Sequence, residues 1–128
     1  MKYTEIELQC EDLLWFGLDT NDNIIAFTSG GIGCIPDFVC NNKKNTQQLQ
    51  KYFNKIINKS GKHKFAENGL YYYDVSYDNN GDSYTKVESP SNPLTATSLP
   101  EEIYSLIKNN IINYDAKTSD KIIIKHAY

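Results

Sequence analysis

The sequence contains no arginine. All thirteen of its basic residues are lysines, against sixteen Asp or Glu, and the formal net charge is −3 at pH 7. Without a guanidinium group, the chain has no side chain that clamps a phosphate or a carboxylate in a planar, bidentate way. The small negative charge also opposes attraction to a polyanion. Both deficits argue against nucleic acid as a partner.

Residues that commonly build metal and catalytic sites are scarce as well. Cys10, Cys34 and Cys40 are odd in number and form no CxxC pair, which is typical of reduced thiols in a cytoplasmic protein. His63 and His126 have no Cys, Asp or Glu at metal-ligand spacing. The sequence therefore predicts no metal site, no cofactor and no assigned catalytic residue.

Long apolar runs are also missing. The first ten residues carry a charge at about every second position and lack the apolar core of a secretory signal. No apolar stretch approaches the roughly 20 residues that span a bilayer. We therefore expect a cytoplasmic protein that does not enter a membrane.

What remains is enough for one ordinary domain. The chain has 128 residues, of which 40% are hydrophobic. A chain of this size buries about two thirds of its unfolded surface, so it needs neither disulfides nor a metal to fold. We expect a single domain over residues 1–128.

The hydrophobic pattern predicts alternating hairpins and helices. Residues 13–19 and 24–28 are β-prone runs on either side of a polar turn, which predicts a hairpin. Alternation along the first run places Trp15 and Phe16 on opposite faces, so both faces of the sheet are expected to be at least partly covered. A second hairpin is predicted over residues 70–87, with Asn80-Gly81 in its turn.

Two amphipathic helices are predicted between these strands. Apolar residues over positions 45–59 follow the i, i+3, i+4, i+7 spacing, with Asn45 or Thr46 as cap and Ser60-Gly61 at the end. A shorter helix follows Ser98, which forms a capping-box pattern with Glu101.

With a last strand over residues 121–125, the order becomes β-β-α-β-β-α-β. This order predicts an α+β domain with an antiparallel sheet of about five strands and helices packed on one side.

The glycine-rich loop after the first hairpin permits two interpretations. Glycines that expose backbone N–H groups can cradle an anion. The residues concerned are Ser29, Gly30, Gly31, Gly33 and Cys34. The loop lacks the companions of the known phosphate motifs, which favours a tight connection. A small ligand-binding or enzymatic site with Cys34 and Asp37 is the alternative.

Tyrosine is abundant, with ten residues in the chain. Aromatic side chains offer a large contact area at a small entropic cost, which suits a protein-binding surface. Ordinary covering of the sheet is the alternative interpretation of these tyrosines. The candidate partner-binding residues are Trp15, Asp19, Tyr72, Asp74, Tyr77 and Tyr84.

Two blocks of the sequence resemble a family of small uncharacterised bacterial proteins with a W-F-x-x-D hairpin motif. The first block comprises Leu14 to Asp19, Asn21 to Ile24 and Ala26 to Gly31; the second comprises Gly69 to Asp74, Tyr84 to Val87, Pro93 to Thr95 and Leu99-Pro100. Asn23 and Gly17 depart from the family pattern, in which Gly and Ala are common at these positions.

The resemblance implies an immunity-type protein of a polymorphic toxin system, a single α+β domain that binds rather than catalyses. It would neutralise a cognate bacterial toxin by masking the active surface of that toxin, as a monomer or a homodimer. The ligand-binding or enzymatic alternative stays open at this point, as does a subunit of a larger assembly.

Overall fold

Within the residues that the structure describes, one sheet of five strands forms the centre of the fold, and its strands lie side by side in chain order. The computed structural model describes residues 2–10, 12–58, 61–77 and 81–125. The strands are β1 (Leu14–Leu18), β2 (Ile24–Thr28), β3 (Tyr71–Val75), β4 (Ser83–Glu88) and β5 (Lys121–Ile123). The prediction of an α+β fold with about five strands is confirmed.

Four α-helices accompany the sheet in the described part of the chain. They are α1 (Glu5–Cys10), α2 (Asp37–Cys40), α3 (Lys43–Ile57) and α4 (Glu101–Ile107). Two 3₁₀ turns, Ala66–Asn68 and Ala96–Ser98, precede β3 and α4. The pattern predicts α3 and α4, although α3 begins two residues before the predicted start. The proposed end of α3 at Ser60 and the Asn80 turn lie outside the described residues, as do His126 and the side chain of Cys10.

Helix α1 has a sequence signal that the hydrophobic pattern does not reveal. The N–H of Glu7 donates to Thr4 Oγ1 over 3.2 Å, and the N–H of Thr4 donates to Glu7 Oε1 over 2.9 Å. This reciprocal pair is a capping box. The capping box expected at Ser98 does not form, because the Ser98 hydroxyl donates to the Thr95 carbonyl instead and Pro100 occupies the N-cap position.

The sheet is mixed rather than purely antiparallel, because β2 and β3 run parallel. The other three strand pairs are antiparallel. A parallel pair requires a crossover connection, and here the connection contains α2 and α3. The parallel pairing places the carboxyl ends of β2 and β3 at the same edge of the sheet.

Helices cover both faces of the sheet rather than one. On one face, Trp15 and Tyr84 join a buried cluster that also contains Leu8 of α1 and Val39 of α2. On the other face, side chains from α3 and α4 pack on Phe16. The predicted alternation of Trp15 and Phe16 is thus confirmed, and both side chains are fully buried.

The outer edge of β1 is closed by groups from elsewhere in the chain. The carbonyl of Leu14 accepts from Gln50 Nε2 over 2.7 Å, and the carbonyl of Phe16 accepts from Asn110 Nδ2 over 3.1 Å. The carbonyl of Leu18 accepts from the N–H of Ile112 over 2.7 Å. These bonds occupy carbonyl groups that would otherwise be available to a foreign strand.

Candidate functional site at the carboxyl ends of β2 and β3

The parallel pair brings Thr28, the last residue of β2, into register with Asp74 of β3. Thr28 Oγ1 donates to Asp74 Oδ1 over 2.6 Å and lies 2.7 Å from the hydroxyl of Tyr72. Because the threonine hydroxyl has a single hydrogen and gives it to the carboxylate, Tyr72 must be the donor in the second bond. A directed chain therefore runs from Tyr72 through Thr28 to Asp74.

Tyr72 keeps its proton because of its surroundings. Burial raises its pKa, and the carboxylates of Asp74 and Asp12 raise it further, while the hydrogen bond with Thr28 acts in the opposite direction. The ring of Tyr72 stacks on Phe65 with centroids 4.2 Å apart. The phenol is thus held as a fixed, neutral donor.

Asp74 has hydrogen-bonding capacity left over. Its Oδ1 accepts from Thr28 and from the N–H of Val75. Its Oδ2 makes no hydrogen bond to the described part of the chain and is not among the fully buried unpartnered atoms there. This oxygen therefore reaches solvent and can accept a hydrogen bond from a partner.

The glycine loop follows directly after Thr28. The N–H of Gly30 donates to Asp12 Oδ1 over 2.7 Å, and the N–H groups of Ile32 and Gly33 donate to the Ser29 carbonyl. At 3.5 Å, the N–H of Gly31 reaches Ser29 Oγ only weakly. The loop thus directs its donors to its own chain.

The end of the loop packs against the second hairpin. The N–H of Cys34 donates to the Gly81 carbonyl, and the Cys34 carbonyl accepts from the hydroxyl of Tyr84 over 2.9 Å. A Cβ added to Gly33 would lie 2.3 Å from that hydroxyl, so no other residue fits there without a shift. Close packing explains Gly33, and the loop is a tight connection.

Tyr77 follows the end of β3 and lies beside the same loop. A Cβ added to Gly30 would lie 3.1 Å from the Tyr77 hydroxyl, and Gly30 has a φ of 59°. Tyr77 is 78% exposed, and Ile32 in the loop is 48% exposed. The loop therefore supports two large apolar side chains at the surface.

Three predicted partner-binding residues are buried, which corrects their placement at a surface. Trp15 and Tyr84 are fully buried and meet edge to face, and Asp19 is 2% exposed. Burial raises the pKa of Tyr84, and the nearby Trp15 indole offsets part of that rise. The indole Nε1 makes no hydrogen bond of ordinary geometry within the described residues. These side chains stabilise the core and offer nothing to a partner of the folded chain.

Asp19 has a structural role that accounts for its burial. Its carboxylate accepts hydrogen bonds from the N–H groups of Asn21 and Asn23, both over 2.8 Å, and from the N–H of Ala116 over 3.0 Å. The Asn23 side chain adds a longer bond of 3.3 Å. Asp19 thereby ties the first hairpin turn to a segment 97 positions away.

The two cysteines with described side chains, Cys34 and Cys40, are buried. Burial raises the pKa of the Cys40 thiol, and the nearby carboxylate of Asp37 raises it further. A buried thiol with a raised pKa is a poor nucleophile. Asp37 itself is exposed, and its carboxylate accepts a hydrogen bond from the side chain of Asn41 over 3.3 Å.

A row of side chains that includes Thr28 and Asp74 crosses the whole sheet. The strand registers align one residue from each strand on one face: Leu14, Thr28, Asp74, Thr85 and Lys121. At its Leu14 end, the row meets a groove of about 360 Å³ between α3 and residues 12–14. Asp12 lines this groove and also holds Gly30, so the groove and the loop are continuous.

We call Asp12, Thr28, Ile32, Tyr72, Asp74 and Tyr77 the strand-end surface. Three of its members, Tyr72, Asp74 and Tyr77, are candidates from the sequence. Tyr72 and Asp74 meet at Thr28, and Tyr77 lies against Gly30 in the loop that follows Thr28. Sequence reasoning misses Asp12 and Thr28, because their roles depend on the parallel pairing of β2 and β3. The serine and glycines that follow Thr28 were the available signal for a site at this position.

Compared with known proteins, the chain matches no protein-family model, no curated protein and no solved structure. Among the described residues, no helix combines the length and apolar character needed to cross a membrane. Within the same residues, no three His, Cys, Asp or Glu side chains are grouped so as to hold a metal ion.

Proposed function

We propose that this chain is a non-catalytic protein-binding domain that contacts its partner through the strand-end surface. The partner that we propose is a bacterial toxin whose active surface the domain masks, as the resemblance of residues 14–31 to immunity-type proteins implies. The observation that carries the binding proposal is Tyr77, which is 78% exposed although it lies against the internally bonded glycine loop.

An exposed tyrosine on a fixed support is well suited to binding. Tyrosine is enriched among the residues that dominate interface energies. Gly30 beneath Tyr77 is held by Asp12, so little backbone freedom is lost when a partner docks. Pre-organisation of this kind raises affinity by lowering the entropic cost of association.

The charges of the strand-end surface favour a basic partner. Asp12 is exposed, and Asp74 has a carboxylate oxygen that reaches solvent. None of the six residues that define the surface is a cation. Carboxylates around apolar contacts increase the association rate with a positively charged protein, and this effect weakens as salt is added.

The alternative of an anion-binding or enzymatic glycine loop has no observation in its favour. The N–H groups of Gly30, Ile32, Gly33 and Cys34 donate to other groups of the chain. An anion would have to displace these bonds, and the Asp12 carboxylate beside the loop would repel it.

Co-expression with the toxins encoded beside its gene tests the proposal. We expect one of them to co-purify with this chain, to lose its activity, and to form an interface of at least about 1,000 Å². Tyr77→Ala should weaken the complex about tenfold or more. Tyr104→Ala is the matched control, because Tyr104 is 37% exposed on α4, away from the strand-end surface.

The same co-expression assay can also contradict the proposal. If none of the encoded toxins binds or is inhibited, the function is not immunity. If a toxin binds but Tyr77→Ala and Tyr104→Ala weaken it equally, the strand-end surface is not the interface. Added salt should slow association with wild type more than with Asp74→Asn.

A further inference from the structure

The groove beside α3 has a polar lining of an uncommon kind. Gln47, Gln50 and Asn54 lie on one stripe of the helix, and all three carboxamides line the groove. Asp12 lines the opposite wall, beside Leu14. The volume of about 360 Å³ equals that of about twelve water molecules, so one long side chain fits.

One carboxamide is fixed in orientation. Gln50 Nε2 donates to the Leu14 carbonyl over 2.7 Å, so its Oε1 points away from β1. This oxygen makes no hydrogen bond within the described residues and is not among the fully buried unpartnered atoms there. The groove therefore contains an oriented amide acceptor that is accessible to a ligand.

The charges of the groove favour a cation. The single lysine of its lining, Lys43, pairs with Glu7 and lies 5.4 Å from the centre of the Tyr3 ring. The hydrogen bond with Lys43 lowers the pKa of Glu7, which keeps the Glu7 carboxylate ionised. Asp12 gives only Oδ1 to Gly30 and has no cationic partner in the described part of the chain. The lining thus carries one carboxylate that no internal cation neutralises.

We propose that the α3 groove binds a guanidinium group, supplied by an arginine of the protein partner. A guanidinium presents five N–H donors in one plane and is more weakly hydrated than an ammonium, which suits a groove that contains the Asp12 carboxylate and the amide oxygen of Gln50. The proposal rests on the proposed function, since Asp12 belongs to both the groove and the strand-end surface. Beyond the proposed function, the groove proposal specifies which chemical group of the partner binds and where on this chain that group binds.

Titration of the full chain with L-argininamide tests the site without the partner. Its readout is the NMR signals of the side-chain amides, which report Gln47, Gln50 and Asn54 individually. We expect saturable shifts of these signals with L-argininamide, weaker shifts with L-lysinamide, and none with L-citrullinamide, which has nearly the same shape but no charge.

Two substitutions locate the contact, each with a matched control. Asp12→Asn should weaken L-argininamide binding about tenfold, because it keeps an oxygen for Gly30 but removes the charge. Asp120→Asn, an exposed change next to β5 at the sheet edge opposite β1, should leave binding as in wild type. Gln50→Ala should weaken binding, whereas Gln48→Ala, which is outside the groove lining, should not.

Several outcomes would overturn the site: no saturable shift with L-argininamide, equal shifts with L-citrullinamide, or equal effects of Asp12→Asn and Asp120→Asn. The groove proposal and the proposed function can be tested separately, because this chain contains no arginine. Phenylglyoxal, which modifies arginine side chains, therefore modifies arginines only in the partner. If a phenylglyoxal-treated toxin still binds at full affinity, the groove proposal fails while the binding function stands. If L-argininamide binds as expected but no encoded toxin does, the site stands and the immunity function fails.

Discussion

Thr28 and Asp74 lie 46 positions apart in the chain, yet their side chains are joined by a hydrogen bond of 2.6 Å. This contact exists because β2 and β3 are neighbours in a parallel pair. It orders the Tyr72 hydroxyl as well, since Tyr72 donates to the same threonine oxygen. The strand-end surface therefore contains a fixed polar group at the end of β2, next to the glycine loop that Tyr77 lies against.

Thr28→Val tests the energetic contribution of this hydrogen-bond chain. Valine keeps the shape of threonine but leaves the Tyr72 hydroxyl without its acceptor and Asp74 Oδ1 without one donor. We expect the free energy of unfolding to fall by about 1–3 kcal/mol, measured by urea denaturation. Thr20→Val, at an exposed position, should stay within about 0.5 kcal/mol of wild type. Equal losses in the two variants would contradict the hydrogen-bond chain.

Gly33→Ala tests the close packing of the glycine loop. The new Cβ would lie 2.3 Å from the hydroxyl of the buried Tyr84, and we expect a loss of about 1–3 kcal/mol in urea denaturation. Gly61→Ala is the control, since its nearest atoms would lie 3.7 Å away, in a flexible Glu67 side chain.

Tyr84→Phe completes the test of this contact. Without the hydroxyl, the 2.3 Å contact with the methyl group that Gly33→Ala introduces is removed, and the remaining close neighbours are the Tyr84 ring carbon Cζ at 2.9 Å and the Ser29 carbonyl at 3.0 Å. The double variant should therefore be more stable than the sum of the two single losses indicates. Strict additivity would show that the hydroxyl is not the group that excludes a larger residue.

Asn110→Asp tests the closure of the β1 edge. Asn110 is buried and donates to the Phe16 carbonyl, whereas a carboxylate would place an oxygen against that carbonyl. We expect a loss of about 2–4 kcal/mol in urea denaturation, with increased aggregation in light scattering as the edge opens. Asn109→Asp, one residue earlier and exposed, should cost less than about 1 kcal/mol. A stable, monodisperse Asn110→Asp variant would show that the edge needs no such cover.

High pH should unfold the protein through its buried tyrosines. Burial raises the pKa of Tyr73 and Tyr84. The Tyr73 hydroxyl donates to the Ser119 carbonyl, with the Ala116 carbonyl 3.2 Å away, and the Tyr84 hydroxyl donates to the Cys34 carbonyl. The unfolded chain ionises its tyrosines near pH 10, while the folded chain still retains these protons. The stabilisation is complete below about pH 10 and falls as the pH rises further.

Urea midpoints between about pH 8 and about pH 11, with tyrosinate absorbance recorded in parallel, measure this effect. Tyr84→Phe should show a shallower decline, because one of the contributing phenols is gone. A midpoint that stays constant up to about pH 11 would contradict the raised pKa values.

The sequence predicts the individual helices and strands better than it predicts how the strands pair. The alternation that separates Trp15 from Phe16 is a local property of the strand, and the structure confirms it. The direction of β3 relative to β2 depends on how a long connection folds back, which no local pattern encodes. For this reason the parallel pair is missing from the sequence prediction, and Thr28 with it.

The candidate site shows the same difference between local and non-local features. Tyr77 and Asp74 can be proposed as partner-binding residues from their residue types, whereas the burial of Trp15 and Tyr84 depends on packing between both hairpins. The capping box of Thr4 and Glu7 is a different case. It is a local signal in the sequence, but hydrophobic periodicity alone does not detect it.

The bond between Asp19 and Ala116 has a consequence for how the protein is made. The segment that covers β1 is synthesised 94 to 97 residues after the groups to which it bonds. The strand that completes the other side of the sheet, β5, follows later still. A growing chain on the ribosome therefore carries β1 with an open edge until that segment emerges. Such non-local closure predicts slow folding and a particular need for chaperones during synthesis.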